Sequence, residues 1–294
     1  MDKIKSYIAE KRNTLSKSSV NTYASILKNL YKRVFNNEEY DLEKFNDTEP
    51  VLNHLRDVPP NKRKTILSAL VIITDKKPYR DLMLDDVRDY NREIQTQTKS
   101  DTQKENWIEG DGINTLYSEL KQDAETLYKK KNLTSNDLQQ IQNYILLSLL
   151  SGIYIPPRRS KDYTDFKIKN IDKEKDNYLD KNKMVFNSYK TAKTYGRQEV
   201  EIPKPLKSIL TKWLKINQSD YLLFDSNGNQ LSSVKLNQRM NKMFGGKNIS
   251  VNALRHSFLT EKYKDVSLQN KKLEQDMSSM GSSKEMASTY IKLD

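Results

Sequence analysis

Apolar side chains recur at helical spacing along most of the chain. In LSKSSVNTYASILKNLYKRV (residues 15–34) they occupy positions 20, 23, 26, 27, 30, 31 and 34, behind serines typical of a helix start. In NKRKTILSALVIIT (residues 61–74), which follows two prolines, positions 66, 67, 70 and 73 form a second apolar stripe. These patterns predict a helical domain over residues 1–98.

The helical period is lost in REIQTQTKSDTQKENWIEGD (residues 92–111), where Thr, Gln, Ser and Lys predominate. We therefore predict a linker over residues 99–110 and a second domain over residues 111–294. Its pattern predicts helices near 111–129 and 135–151, then strands near DFKIKNI, KMVFNSY and RQEVEIP, then helices to the end. The predicted fold class is α+β and mainly helical, with a small antiparallel sheet.

Composition narrows the functional classes. The chain has no cysteine and only two histidines, so thiolate chemistry is excluded and a zinc site has almost no ligands. No apolar run has the length of a membrane span, and the N-terminus lacks the apolar centre of a signal peptide. The formal net charge of +12 favours a polyanionic partner such as nucleic acid, with a lysine-rich solvated surface as the alternative.

The second predicted helix begins with three basic residues, Lys62, Arg63 and Lys64. Positive charge at a helix N-terminus is opposed by the helix dipole. Either a phosphate backbone contacts these side chains or they are simply solvated, and the sequence favours neither.

Four short segments carry residues suited to phosphate chemistry. An apolar helix runs into IPPRRSKDY, which holds Arg158 and Arg159, and KTAK, which begins at Lys190, lies between two predicted strands. NALRHSFLT places Arg255 beside a histidine near the start of a helix, and MGSSKEMASTY ends at Tyr290. No glycine-rich phosphate loop of the nucleotide-binding type is present.

In this order, the four segments resemble the boxes of the tyrosine recombinases, the integrase family. The spacing of three residues to Asp162 favours Arg159 over Arg158 as the first arginine of that pattern. The chain departs from the family where it has Asn and Ser in place of the usual histidines of the last two boxes. The site residues that the resemblance implies are Arg159, Lys190, Asn252, Arg255, Ser282 and Tyr290, with His256 more easily explained as a structural residue.

The resemblance implies a helical core-binding domain and a catalytic domain that clamp double-stranded DNA. Tyr290 would attack a phosphodiester to form a 3′-phosphotyrosyl link, two arginines would stabilise the transition state, and Lys190 would protonate the leaving 5′-oxygen. No cofactor or metal is implied. Because Asn252 and Ser282 cannot accept a proton near neutral pH, a weakened base is expected.

We expect a site-specific recombinase of a virus or mobile element, working in the cytoplasm or nucleus of a host cell. A type IB topoisomerase and a catalytically silent DNA-binding paralogue are the alternatives. Only four residues follow Tyr290 in this sequence, too few for a further docking helix, so we expect either a longer natural chain or protomers that communicate through the tyrosine helix itself. The sequence offers no long exposed apolar stripe. We therefore expect a monomer in free solution and a tetramer on paired DNA sites.

Overall fold

The chain folds into two compact units, residues 1–99 and 100–294. The structure is a computed structural model that describes residues 2–36 and 40–292. Each unit has its own hydrophobic core. The functional domains that we predict over 1–98 and 111–294 stay a prediction.

The first unit is helical in its described residues. Ser16 caps the second helix by accepting a hydrogen bond from the backbone of Ser19, and Pro60 occupies the first turn of the fourth, so both expected helices begin at their predicted signals. Leu27, Leu70 and their neighbours are buried in one core. The helices are α1 (Asp2–Lys11), α2 (Lys17–Phe35), α3 (Thr48–Leu55), α4 (Pro60–Thr74) and α5 (Lys77–Gln95), with a 3-10 turn at Leu42–Asn46.

The basic start of α4 has a partner within its own unit. Arg63 donates two hydrogen bonds to Asp86 of α5, from Nε at 2.9 Å and from Nη2 at 2.7 Å. The side chain of Asp86 is 2% exposed, so the pair is largely withdrawn from water. Lys64 lies over the ring of Tyr90. The sequence offered a phosphate backbone or simple solvation as explanations of this basic start. Neither holds for Arg63, because the buried carboxylate of Asp86 offsets the unfavourable helix dipole.

The second unit surrounds the apolar helix α8. Thr134 and Asp137 form a reciprocal capping box at its start, and most of its side chains are buried. The predicted linker contains the short helix α6, which belongs to this unit. The helices are α6 (Asp101–Glu105), α7 (Gly110–Leu127), α8 (Ser135–Leu150), α9 (Ser160–Thr164), α10 (Ala192–Tyr195), α11 (Lys204–Ile216), α12 (Ser233–Met243), α13 (Val251–Ser279) and α14 (Ala287–Tyr290), with a 3-10 turn at Lys284–Met286.

A four-stranded sheet packs into the core of this unit in the order β1-β2-β3-β4. The strands are β1 (Phe166–Lys167), β2 (Asn177–Asp180), β3 (Lys183–Phe186) and β4 (Gln198–Glu201). The mainly helical α+β class with a small sheet is confirmed. The prediction of a purely antiparallel sheet is wrong in one pairing, because β1 runs parallel to β2. The pattern missed β2, whose NYLD sequence is too short to show an alternation.

The longest helix, α13, has 29 residues and leaves the core after its first turns. Val251, Leu254 and Ser257 are buried, whereas nearly every side chain between Leu259 and Lys272 is exposed. A search of the described helices finds none long and apolar enough to span a bilayer.

Candidate active site

Arg158 is held inside the protein by its neighbours. Its Nε donates to Asp162 Oδ2 at 2.9 Å, and its Nη1 donates to Gln198 Oε1 of β4 at 2.9 Å. Its guanidinium also lies 4.0 Å from the ring centre of Phe186. The side chain of Arg158 is 17% exposed and that of Asp162 is 2% exposed. Together with the bond to Gln198, this pair joins α9 to the sheet. The position of Arg158 is therefore structural.

Arg159 is the N-cap residue of α9 and is half-buried. Across residues 2–36 and 40–292, no hydrogen bond or ion pair within 4 Å engages its guanidinium. The sequence favours Arg159 as the first arginine of the site because it stands three residues before Asp162. In the structure, however, the carboxylate of Asp162 is hydrogen-bonded to Arg158. Arg158 bonds only the Oδ2 atom of Asp162, whose Oδ1 atom is buried without a partner among the described residues. The guanidinium donors of Arg159 are unengaged within those residues and are available to an external ligand.

The start of α13 is fixed against the end of α8. Gly152 follows α8 with φ +89°, and a Cβ at this position would overlap the ring of Phe258 in α13. Ser250 caps α13 by accepting from the backbone of Ala253. One turn into the helix, Arg255 donates from Nε to the carbonyl of Pro157 at 3.3 Å. Both predicted arginines are thereby brought to the segment between α8 and α9.

The two arginines are close enough to perturb each other electrostatically. Burial lowers the pKa of Arg255 from its ordinary value, and the positive charge of Arg159 lowers it further, while Asp162 opposes the shift. Burial also raises the pKa of Asp162, against the effect of Arg158 and the other two arginines. A cluster of like charges with one shared carboxylate has an excess of positive charge that a phosphate would neutralise.

Asn252 joins Arg255 to His256 on the exposed side of α13. Its Oδ1 accepts from Arg255 Nη1 at 3.3 Å, and its Nδ2 lies 3.1 Å from His256 Nε2. Because an amide nitrogen only donates, His256 Nε2 is the acceptor in this contact. Asn252 thus orients the arginine and leaves one amide hydrogen for another acceptor.

Lys190 is exposed on the connection between β3 and β4. This connection contains α10, so it is longer than the hairpin tip that the pattern suggests. Tyr189 is buried, lies 5.1 Å from the guanidinium of Arg158 and donates to the carbonyl of Gly196 at 2.6 Å. The backbone that carries Lys190 is therefore fixed beside the arginine segment.

A residue missed by sequence reasoning, Asn177, links that connection to α9. Its side chain is fully buried and donates to the carbonyls of Asp162 at 3.0 Å and Ser188 at 2.8 Å. Its Oδ1 accepts from the backbones of Asn187 at 2.9 Å and Ser188 at 2.8 Å. Asn177 is a positioning residue for both Lys190 and the arginine segment. Nothing in the local pattern of NYLD marks it, because the three residues that make its four hydrogen bonds come from other segments.

Ser282 and Tyr290 lie beyond the other end of α13. Arg255 and Ser279 are separated by about 36 Å along the axis, at 1.5 Å per residue. Ser282 donates from its backbone to Met277, and the 3-10 turn before α14 packs on α13. Tyr290 is 57% exposed, and no contact within the described part of the chain joins it to either arginine.

The six predicted residues therefore fall into two groups. The structure brings Arg159, Asn252 and Arg255 together, with Lys190 on an adjoining segment. It keeps Ser282 and Tyr290 apart from them, so one folded chain does not assemble the complete set. The first group can bind a phosphodiester, and the second supplies the only nucleophile that the resemblance implies.

Comparisons with known proteins find similarity only among solved structures. No protein-family model matches the chain, and no curated protein matches it. The chain is similar to a lambda integrase dimer bound to a COC' core site, at 15% identity and a TM-score of 0.46, over 90% of this chain and 89% of that one. It is also similar to a lambda integrase tetramer bound to a Holliday junction, at 15% identity and a TM-score of 0.46, over 93% and 71%.

A third similar structure is the XerH site-specific recombinase bound to difH substrate in a pre-cleavage complex. The identity is 16% and the TM-score 0.36, over 89% of this chain and 85% of that one. These are similarities to proteins that differ widely from this chain in sequence. We therefore argue the function from the residues of the site itself.

Proposed function

We propose that this protein is a tyrosine recombinase that cuts and rejoins double-stranded DNA through a 3′-phosphotyrosyl intermediate. The observation that supports this is the convergence of Arg159 and Arg255, whose like charges lie together although Asp162 is hydrogen-bonded to Arg158. Two planar guanidinium groups with free donors match the oxygens of a phosphodiester. The excess of basic residues over the whole chain suits the same partner.

In the proposed reaction, the exposed Tyr290 hydroxyl gives its proton to solvent water, and its oxygen bonds to phosphorus as the bond to the 5′-oxygen breaks. Arg159 and Arg255 stabilise the negative charge that gathers on the non-bridging oxygens, and Asn252 orients Arg255. Lys190 protonates the departing 5′-oxygen. The bond energy is conserved in the phosphotyrosyl link, so rejoining by a 5′-hydroxyl needs no nucleotide triphosphate.

The test is covalent capture of the protein on DNA duplexes whose sequence is that of the ends of its own genetic element. Each duplex carries a nick near the cleavage site, so the short cleaved end diffuses away and the protein stays attached. We expect a protein–DNA adduct from the natural chain and none from Tyr290→Phe, with DNA affinity unchanged because only the attacking oxygen is lost. Tyr263→Phe is the matched control on exposed tyrosine and should keep the adduct. An undiminished adduct in Tyr290→Phe would refute the assignment.

The same experiment separates the alternative functions. Supercoil relaxation by a persistent monomer, without exchange between paired sites, would identify a type IB topoisomerase. DNA binding with no adduct from any form of the chain would identify a silent paralogue. Sequencing the covalent junctions tests the proposed role in the integration of a virus or mobile element.

A further inference from the structure

We propose that Tyr195, on the connection between β3 and β4, is a stacking platform for an unpaired nucleobase of the strand that Lys190 helps to cut. The inference rests on the proposed function, because it assigns a place to the nucleotides that follow the leaving 5′-oxygen. It starts from an aromatic ring that the fold leaves in solvent.

The ring of Tyr195 is unusually open to solvent. Tyr195 is 67% exposed, the highest value among the exposed large apolar side chains of residues 2–36 and 40–292. Its side chain makes no hydrogen bond or ring contact within that part of the chain. A single exposed apolar side chain is ordinary on a protein surface, so its support and its neighbours decide whether it has a role.

The backbone that carries the ring is fixed at both ends by one residue. Tyr189 is buried, its carbonyl accepts from the backbone of Ala192 at 3.1 Å, and its hydroxyl donates to the carbonyl of Gly196 at 2.6 Å. Gly196 follows α10 with φ +66°, a conformation that favours glycine. The backbone of Tyr195 is therefore held in a compact turn, so little chain entropy is lost when a ligand stacks on its ring.

The segment around the ring carries only positive charge. Residues 187–198 contain Lys190, Lys193 and Arg197 and no acidic residue. Arg197 is paired with Glu199 at 2.8 Å, whereas the two lysines are exposed and form no ion pair within the described residues. Two ammonium groups beside an open ring match the two parts of a nucleotide, because a phosphate binds a cation and every base has a face that stacks.

An apolar surface of another protein fits the same segment less well. Within residues 187–198, all of which the structure describes, Tyr195 is the one exposed large apolar side chain. The core of a protein interface usually contains several apolar side chains and few charged ones. The lysines on either side of the ring therefore favour a nucleobase over a protein partner.

The turn that carries the ring also reaches the arginine segment. The ring of Tyr189 lies 5.1 Å from the guanidinium of Arg158, and Lys190 follows Tyr189 directly. Tyr195 stands five residues after Lys190. Five residues of a helix-like turn advance about 8 Å, the length of two to three stacked nucleotides. A base that stacks on Tyr195 thus lies within a few nucleotides of the phosphate that is cut.

Cleavage supplies an end that frays. In the proposed reaction, the bond from phosphorus to the 5′-oxygen breaks, and Lys190 gives that oxygen a proton, so the strand ends in a 5′-hydroxyl. The last base of this strand is stacked on one side only. Stacking on Tyr195 covers its other face and holds the 5′-hydroxyl near the phosphotyrosyl link for rejoining.

Equilibrium binding to two DNA probes tests the platform without any cleavage. One probe is a paired duplex, and the other is the same duplex with three mismatched nucleotides at its centre. Base stacking tolerates any sequence, so the natural target is not needed. The natural chain should prefer the mismatched probe. Tyr195→Ala should lose about 5- to 100-fold on that probe, the range of one lost base–aromatic stack, and less than about twofold on the paired one.

Two variants are matched controls for this measurement. Tyr195→Phe keeps the ring and should bind both probes as the natural chain does. Tyr263→Ala removes another exposed ring, 46% exposed on α13, and should keep the preference for the mismatched probe. Equal weakening on both probes by Tyr195→Ala would overturn the inference, as would an equal loss in Tyr195→Phe or a natural chain without any preference.

The dependence of affinity on salt separates the ring from its charged neighbours. Each phosphate contact on a single strand adds about 0.7 to the slope of log affinity against log salt concentration, and a stacked base adds nothing. Tyr195→Ala should therefore lower the affinity for the mismatched probe with the slope unchanged, whereas Lys193→Gln should reduce the slope. A reduced slope in Tyr195→Ala would mean that the ring acts through phosphate contacts and would contradict stacking.

Photo-cross-linking locates the stacked base. 5-Iodouracil at a mismatched position bonds, under ultraviolet light, to an aromatic ring on which it stacks. The cross-linked peptide of the natural chain should contain Tyr195, and Tyr195→Ala should give no such product. Cross-links at other tyrosines alone would refute the assignment.

The outcome is independent of the adduct assay, because the binding probes are measured with Tyr290→Phe in every chain. Loss of the preference or of the cross-link, while the natural tyrosine still forms adduct, overturns the platform and leaves the recombinase function standing. Absence of any adduct from the natural chain overturns the proposed function, and with it the role of Tyr195 at a cut strand.

Discussion

Adjacent arginines in the segment IPPRR are expected to respond in opposite ways to the same substitution. Arg158→Ala removes the hydrogen-bonded partner of Asp162, whose side chain is only 2% exposed. Breaking a buried ion pair leaves one charge uncompensated and costs about 3 kcal/mol or more of unfolding free energy. The melting temperature should fall by roughly 6–12 °C, at about 2–4 °C per kcal/mol for a domain of this size.

Arg159→Ala should leave the fold almost unchanged. The side chain of Arg159 makes no hydrogen bond within the part of the chain that the structure describes, so its removal should change the unfolding free energy by less than about 0.5 kcal/mol. It also relieves repulsion with Arg255. The adduct rate should nevertheless drop by about 10²–10³, the usual cost of one lost transition-state donor.

A double variant separates stability from chemistry at Arg158. Arg158→Met with Asp162→Leu removes both charges and keeps an extended side chain against Phe186. Replacing a whole buried pair by apolar residues is often neutral for stability, so most of the melting temperature should return, together with cleavage. Calorimetry and single-turnover adduct formation are the two measurements.

The reasoning fails if the double variant is as stable as the natural chain yet does not cleave, because Arg158 would then contact the phosphate. It also fails if Arg159→Ala lowers the melting temperature as much as Arg158→Ala. In that case Arg159 would be the structural member, and the choice between the two arginines would be reversed.

Three further predictions concern the other residues of the site and its support. Lys190→Ala should slow cleavage of a normal phosphodiester by at least about 10²-fold and that of a substrate with a 5′-thiolate leaving group far less, because sulfur needs no proton; equal loss on both substrates excludes the general acid. Asn252→His with Ser282→His should speed adduct formation if the natural chain lacks a base, and slower cleavage would mean that another group already accepts the proton. Hydrogen bonds from Lys130 and Thr134 lower the pKa of Asp137 to about 2. The ionised carboxylate therefore stabilises the folded protein fully above its unfolded pKa near 4, and this contribution is lost as the pH falls to about 2. Asp137→Asn should lower the melting temperature at pH 6 but not at pH 2, and a difference that persists at pH 2 contradicts this.

The sequence alone predicted several of the helices and named the candidate residues of the site. Helical periodicity and capping signals are local, so α2, α4, α7 and α8 begin within a residue or two of their predicted positions. The order of the arginine, lysine and tyrosine segments is also read directly along the chain. That order carries the resemblance that implies the chemistry, which stays a prediction, but it does not say which residues meet.

Partners in space were decided by the tertiary structure. The spacing in the sequence paired Asp162 with Arg159, whereas the packing of α9 against the sheet pairs it with Arg158. The four hydrogen bonds of Asn177 join segments that no local pattern relates. Charge pairing and burial depend on contacts between distant residues, which the period of a single segment does not encode.

The largest revision concerns α13. Its length follows from unbroken helical propensity after Ser250, but the exposure of its middle follows from tertiary packing, because the buried side chains of the helix lie near its two ends, up to Ser257 and again at Met277. The sequence put Arg255 and Tyr290 in one catalytic set because the segments occur in the expected order. The helix between them sets their distance, because each helical residue adds a rise of about 1.5 Å along the axis. The order of the segments in the sequence does not contain that distance.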